Sequence, residues 1–111
     1  MEADTYPLFV YGTLLDPQVQ QMVFGQEVAG QPDRLPGYEK RERSVAGRYP
    51  EIVPVAQEGA LVQGQRLEVG AAGLRRADAY ETTMYYRKLV ELESGARAWV
   101  YLASPPKKTA P

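Results

Sequence analysis

The hydrophobic positions of the chain change period several times, and each change marks an element. Leu8, Phe9, Val10 and Tyr11 run without a polar interruption and are closed by Gly12, the form of a buried strand that ends in a turn. A helix follows. Asp16 offers a side-chain cap, Pro17 suits the first helical position, Val19, Met22 and Val23 recur on one face, and Gly25 supplies the stop. Residues 34–38, 40–45 and 52–55 read as short strands or extended loops, punctuated by Pro32, Pro36, Pro50 and Pro54. Residues 60–69 alternate, with Leu61, Gln63, Gln65, Leu67 and Val69 on one face of a strand and Gly64 marking a bulge or a close contact. A second short helix is expected over residues 70–81, and two antiparallel strands over 85–93 and 96–103, turned at Ser94-Gly95.

Strands outnumber helices and are joined mostly by short turns. The pattern therefore predicts an α+β domain, a small mixed or antiparallel β-barrel flanked by two short helices. A doubly wound α/β sheet needs more crossover helices than the chain offers. Residues 1–103 are expected to form a single domain, with 104–111, rich in Pro, Lys and Ala, as a flexible C-terminal tail.

Composition narrows the chemistry. The 111 residues include no cysteine and no histidine. Thiol nucleophiles, Ser-His and Cys-His pairs, disulfides and thiolate or imidazole zinc sites are excluded, so any catalysis must use carboxylates, hydroxyls, amines or backbone groups. The formal net charge of −1 gives no electrostatic footprint for nucleic acid. No apolar run approaches the roughly 20 residues of a membrane span, and Met1-Glu2-Ala3-Asp4 is acidic where a signal peptide is basic. A cytoplasmic protein that binds neither membrane nor nucleic acid is expected, as a monomer or a weak homodimer.

Three groups of residues carry candidate chemistry. Tyr11-Gly12-Thr13-Leu14 lies between a strand and a capped helix, where consecutive backbone N–H groups can meet an anion and Gly12 allows close approach. Read on spacing alone, the same segment is also an ordinary turn. On the second helix Leu74, Ala77, Asp78 and Glu81 share a face, so burying Leu74 and Ala77 draws both carboxylates inward. A carboxylate drawn inward must find a partner or take up a proton more readily, and the second case suits a general acid or base. Two plainer readings of Glu81 stand beside this one: exposure to solvent, or pairing with Arg87. Tyrosine, with eight residues against two Phe and one Trp, is the third group, and Tyr80, Tyr85 and Tyr86 crowd around Glu81. Tyr hydroxyls line polar pockets, although many strand tyrosines simply pack with the hydroxyl at the surface.

These residues, in this order, resemble the γ-glutamylcyclotransferase-like (AIG2-like) family. The resemblance rests on Phe9-Val10-Tyr11-Gly12-Thr13-Leu14, Gly37-Tyr38, Gly47-Arg48-Tyr49-Pro50 with Ile52-Val53, Val62-Gln63-Gly64 with Leu67, Asp78-Ala79-Tyr80-Glu81, Tyr85 and Arg87 spaced as Tyr-x-Arg, and residues 98–101 from Ala98 to Tyr101. It implies a barrel with its ligand cavity between the Tyr11 loop and the acidic helix. It further implies that Glu81 is the catalytic acid/base and that Tyr11, Gly12, Thr13 and Leu14 hold the α-amino and α-carboxylate end of a small-molecule γ-glutamyl substrate. Tyr85, Arg87 and Tyr49 join them as expected substrate contacts. The implied reaction is ring closure of the γ-glutamyl group to 5-oxoproline with release of an amine, which needs no cofactor, metal or covalent nucleophile. Two positions depart from the family pattern: Ala77 precedes Asp78 where Leu is common, and Thr82 follows Glu81 where Gly is common. A β-branched Thr82 restricts a backbone that glycine frees, and it keeps open the alternative of a non-catalytic small-ligand-binding or regulatory module.

Overall fold

The computed structural model describes residues 4–105. The tail expected over 104–111 lies outside the described residues from position 106 onward. Seven strands and two helices follow in the order β1 (Thr5–Val10), α1 (Pro17–Phe24), β2 (Gly30–Pro36), β3 (Tyr38–Val45), β4 (Tyr49–Pro54), β5 (Leu61–Gly70), α2 (Ala71–Glu81), β6 (Tyr85–Glu91) and β7 (Arg97–Ala103). Five strands form one mixed sheet in the order β2-β5-β1-β7-β6, and β3 and β4 form a separate two-stranded ribbon. At the centre, β1 is antiparallel to β5 and parallel to β7.

The unbroken apolar run of β1 follows from burial on both faces. Leu8 and Val10 join Leu67, Val69, Leu74, Ala77 and Tyr101 under the two helices. Phe9 and Tyr11 join Leu35, Ile52, Val62, Ala98 and Val100 on the opposite face, where Ile52 belongs to the ribbon. The strand β5 shows the same division. Leu67 and Val69 are buried with the helices and Val62 on the opposite face, while Leu61 and Gln63 are exposed because the helices cover only one end of their face.

The sheet also curls. The N–H of Glu93, just beyond β6, donates to the carbonyl of Arg34 in β2 at 2.7 Å, and the Ser94 hydroxyl donates to Asp33 at 2.6 Å. These bonds bring the two ends of the strand order together, which gives the α+β domain its curled, helix-flanked form. No helix among the described residues is long and apolar enough to cross a membrane.

The first helix is built from the expected parts, with one exchange. Asp16 accepts from the N–H of Gln18 at 2.9 Å, Pro17 occupies the first turn, and Gly25 ends the helix at φ +79°, with its N–H bonded to Gln21 O. Met22, expected on the inner face with Val19 and Val23, is 68% exposed, and Gln20 is buried in its stead. The Gln20 side chain donates to Leu14 O at 2.8 Å and accepts from Val28 N–H at 2.9 Å, so it satisfies the loops on either side of the helix. Polar demand from those loops rotates the helix away from the face that hydropathy favours.

Gly64 marks a close contact and not a bulge. The β2–β5 ladder runs without a shift through the Asp33–Gly64 pair. A Cβ at Gly64 would overlap the carbonyl oxygen of Val10 and stand 2.8 Å from Phe9 Cζ. Because backbone cannot yield as a flexible side chain does, Gly64→Ala is expected to lower the unfolding free energy by roughly 1–3 kcal/mol, the usual range for overpacking. A urea titration checks this, and an unchanged midpoint would contradict it.

Candidate functional site

Where β1 ends, the chain builds one wall of a cavity of about 210 Å³. Tyr11 is buried and donates its hydroxyl to the carbonyl of Tyr101 at 2.6 Å, which fixes the ring at the cavity floor. From Gly12 the backbone enters a single 3₁₀ turn, Thr13–Leu15, closed by Leu15 N–H on Gly12 O and Asp16 N–H on Thr13 O. Leu14 anchors that turn in the core. A turn of this kind directs its leading N–H groups toward its N-terminal end.

The opposite wall is the end of α2. Leu74 and Ala77 are buried, and their burial sets the roll of the helix so that Glu81 turns toward the cavity while Asp78, its side chain 40% exposed, faces a neighbouring groove. The two carboxylates then diverge. Asp78 receives Arg87 Nε at 2.5 Å, Arg87 Nη2 at 2.9 Å and the Tyr101 hydroxyl at 2.7 Å. The Arg87 hydrogen bonds hold its carboxyl below the usual carboxylate range, against the opposing effect of burial. Glu81 lines the cavity, where burial pushes its carboxyl from the ordinary 4.5 up to about 7. Neither plainer reading of Glu81 applies, since it is not out on solvent and Arg87 is taken by Asp78.

Tyrosines and the ribbon complete the enclosure. The Tyr80 hydroxyl donates to Thr13 Oγ1 at 2.8 Å, a direct tie between the acidic helix and the loop. The Tyr85 hydroxyl donates to the carbonyl of Pro50 at 2.7 Å and so fastens β4 over the cavity, and burial raises this phenol to about 12. Tyr49 lines the cavity from β4 with the Arg48 guanidinium 5.6 Å from its ring centre. Gly12 faces the ribbon closely, since a Cβ there would lie 3.2 Å from Pro50 Cγ.

Of the residues expected at the site, Tyr11, Gly12, Thr13, Leu14, Tyr49, Glu81 and Tyr85 all line this one cavity. Arg87 does not. It lies in an adjoining groove, bound to Asp78 and stacked 4.5 Å from the Trp99 ring centre. Tyr101, Pro50 and Met84 line the cavity as well, beyond the residues expected there. Alternation along β7 places Tyr101 beneath α2, but nothing in the local pattern aims its hydroxyl at Asp78.

Thr82, directly after Glu81, adopts φ +61° and ψ −163°. This combination is open to glycine and costly for a residue with a branched Cβ, so the departure from the usual glycine is a real conformational burden at the cavity wall.

The sequence matches the family described as gamma-glutamyl cyclotransferase, AIG2-like, over residues 8–111. No curated protein matches it. Among solved structures, it is similar to a protein from Arabidopsis thaliana determined in solution, at 25% identity and a TM-score of 0.76 over 93% of this chain; the chain spans 66% of that protein, just under two thirds of its length. A gamma-glutamyl cyclotransferase shares the fold at 17% identity and a TM-score of 0.71, over 91% of this chain and 68% of the other. An AIG2-like protein from Mus musculus does so at 22% identity and a TM-score of 0.73, over 93% and 81%.

Replacing Thr82 by glycine relieves the backbone at the expense of unfolded-state entropy and of a 3.3 Å bond from Met84 N–H to the threonine hydroxyl. Strain of this kind costs on the order of 1–3 kcal/mol, so Thr82→Gly is expected to raise stability by about 1 kcal/mol. Thermal unfolding reads the change, and a lowered Tm would contradict the strain.

Proposed function

The chain belongs to the gamma-glutamyl cyclotransferase, AIG2-like family, and from that premise we propose that it cyclises a γ-glutamyl amine or γ-glutamyl amino acid to 5-oxoproline, releasing the amine. One observation carries the reading: Glu81, a carboxyl with raised proton affinity, lines the same cavity as loop 11–14.

In this reaction the substrate's α-amine attacks its own γ-carbonyl carbon. A carbon–nitrogen bond closes the ring and the bond to the leaving nitrogen breaks. The α-ammonium gives up two protons as it becomes the lactam N–H, and the leaving nitrogen gains two as it departs as an ammonium, so a single group that takes and returns a proton twice balances the exchange. Nucleophile and electrophile belong to one molecule, and the protein's main task is to hold them in a near-attack geometry. Glu81 is assigned the proton transfers. Among the described residues no lysine or arginine lines the cavity, so the backbone N–H groups of loop 11–14 are the donors assigned to the α-carboxylate end. Tyr49 and Tyr85 are assigned to the leaving-group side, and Arg87 becomes a support of the acidic helix. The same reading takes the partner to be this small-molecule substrate and the setting to be cytoplasmic, with the protein acting as a monomer or weak homodimer.

The alternative of a non-catalytic module predicts a cavity filled by Tyr85 or Tyr86. Tyr85 is instead tied back to Pro50 and Tyr86 is 47% exposed, which supports the enzyme reading.

Glu81→Gln keeps shape and loses the transferable proton. Its turnover is expected to fall by at least about 100-fold, the lower end of general acid-base contributions, with the cavity still binding substrate. A panel of γ-glutamyl amino acids, γ-glutamyl amines and the ε-lysine isopeptide, assayed for 5-oxoproline, measures this; parent-like turnover by Glu81→Gln would remove Glu81 from the mechanism. Because the carboxylate is the base, the parent's rate should rise as pH passes through about 7.

The same carboxyl sets a stability trend. Between 4.5 and about 7 the folded protein holds a proton at Glu81 that the unfolded chain has released. The folded state therefore loses stability as pH rises through that window. Glu81→Gln removes the loss, so the variant should gain on the parent from pH 4.5 to 7 and hold a constant lead above. Denaturant midpoints at pH 4 and pH 8 compare them, and an equal gap at both would contradict the trend.

A further inference from the structure

Asp78 and Glu81 stand three residues apart on the same face of α2, the spacing at which helical side chains are neighbours. The available cation is Arg87, which occupies a groove behind the cavity and shares Thr82, Tyr85 and Tyr101 with it as a common wall. Two hydrogen bonds to Asp78 and a stack on Trp99 keep the guanidinium on the groove side. The Tyr101 hydroxyl takes a further position on the same carboxylate. On the cavity side, the titratable groups around Glu81 are Tyr11 just after β1, Tyr49 from β4, Tyr80 beside it on α2, Tyr85 from β6 and Tyr101 from β7. Glu51 of β4 adds a negative charge near Tyr11 and Tyr85.

We propose that Asp78 and Arg87 form a charge-cancelling pair that serves Glu81: Asp78 detains the arginine in the groove, the arginine neutralises Asp78, and the cavity carboxyl meets neither a cation partner nor a second fixed anion one turn away. The proposal deepens the reading of Glu81 as acid/base and rests on it. Asp78 and Arg87 are positioning residues here, acting through Glu81 without touching substrate. A guanidinium released toward Glu81 favours its carboxylate and makes it a weaker base, whereas an unpaired Asp78 disfavours the carboxylate.

The two charges give opposite signatures. With the pair unbalanced by one unit across a partly solvated wall, the acid limb of the pH–rate profile should move by about 1 pH unit. In Asp78→Asn it moves down, in Arg87→Gln it moves up, and in the double variant it returns close to the parent's position. A merely structural pair would lower rate or stability in all three without moving the limb in opposite directions. The Glu81 titration midpoint, followed by carbon-13 NMR in substrate-free protein, should shift in the same senses whether or not turnover survives. That readout separates the charge pair from the catalytic assignment: loss of the opposite shifts overturns the pair, while parent-like turnover in Glu81→Gln overturns the assignment. Where a single variant does not fold, Asp78→Ser and Arg87→Met take its place with the same signs required. Limbs and midpoints that stay at the parent's pH, or that move the same way in both single variants, would overturn the proposal.

Discussion

A carboxyl group withdrawn from water without a cation beside it sets the terms for the rest of the site. Glu81 lines a cavity whose wall is largely aromatic and aliphatic, and desolvation raises its hold on a proton. The surrounding structure keeps the usual remedy away. Arg87 is bound to Asp78, Arg66 to Asp33, and Arg34 to Glu93, each outside the cavity. The hydroxyls of Tyr11, Tyr85 and Tyr80 are likewise engaged, on Tyr101 O, Pro50 O and Thr13 Oγ1.

The placement of that carboxyl begins in the sheet. Because helices cover one face of β1 and the ribbon covers part of the other, the loop after Val10 emerges between two layers instead of at an open edge. Burial of Leu74 and Ala77 fixes how α2 rolls, and Glu81 follows one turn after Ala77 at the helix end. The Tyr80–Thr13 bond then ties loop to helix. For the proposed reaction, in which both partners belong to one substrate, such a frame would supply orientation and one carboxyl the proton traffic. The lack of histidine and cysteine therefore constrains the mechanism without excluding catalysis.

Much of this is legible in the residues because the local signals agree with one another. Asp16, Pro17 and Gly25 fix α1, and the apolar run of β1 fixes a buried strand, since capping and burial act over a few neighbouring residues. The inward turn of Glu81 follows from the spacing of Leu74 and Ala77. What escapes depends on partners distant in sequence. Gln20 displaces Met22 because loops at Leu14 and Val28 need its amide, and Arg87 leaves the cavity because Asp78 and the Trp99 ring hold it from other elements. Thr82 sits between the two cases. Its type flags a departure from glycine, while its positive φ emerges only from how α2 must end to meet β6.

The most direct test of the account is the titration of the Glu81 carboxyl in the free protein, resolved by carbon-13 NMR and assigned by its disappearance in Glu81→Gln. Burial without a cation partner predicts a midpoint near 7. A midpoint at the ordinary 4.5 would mean that water or a positive charge reaches the carboxylate, and would contradict the account at its base.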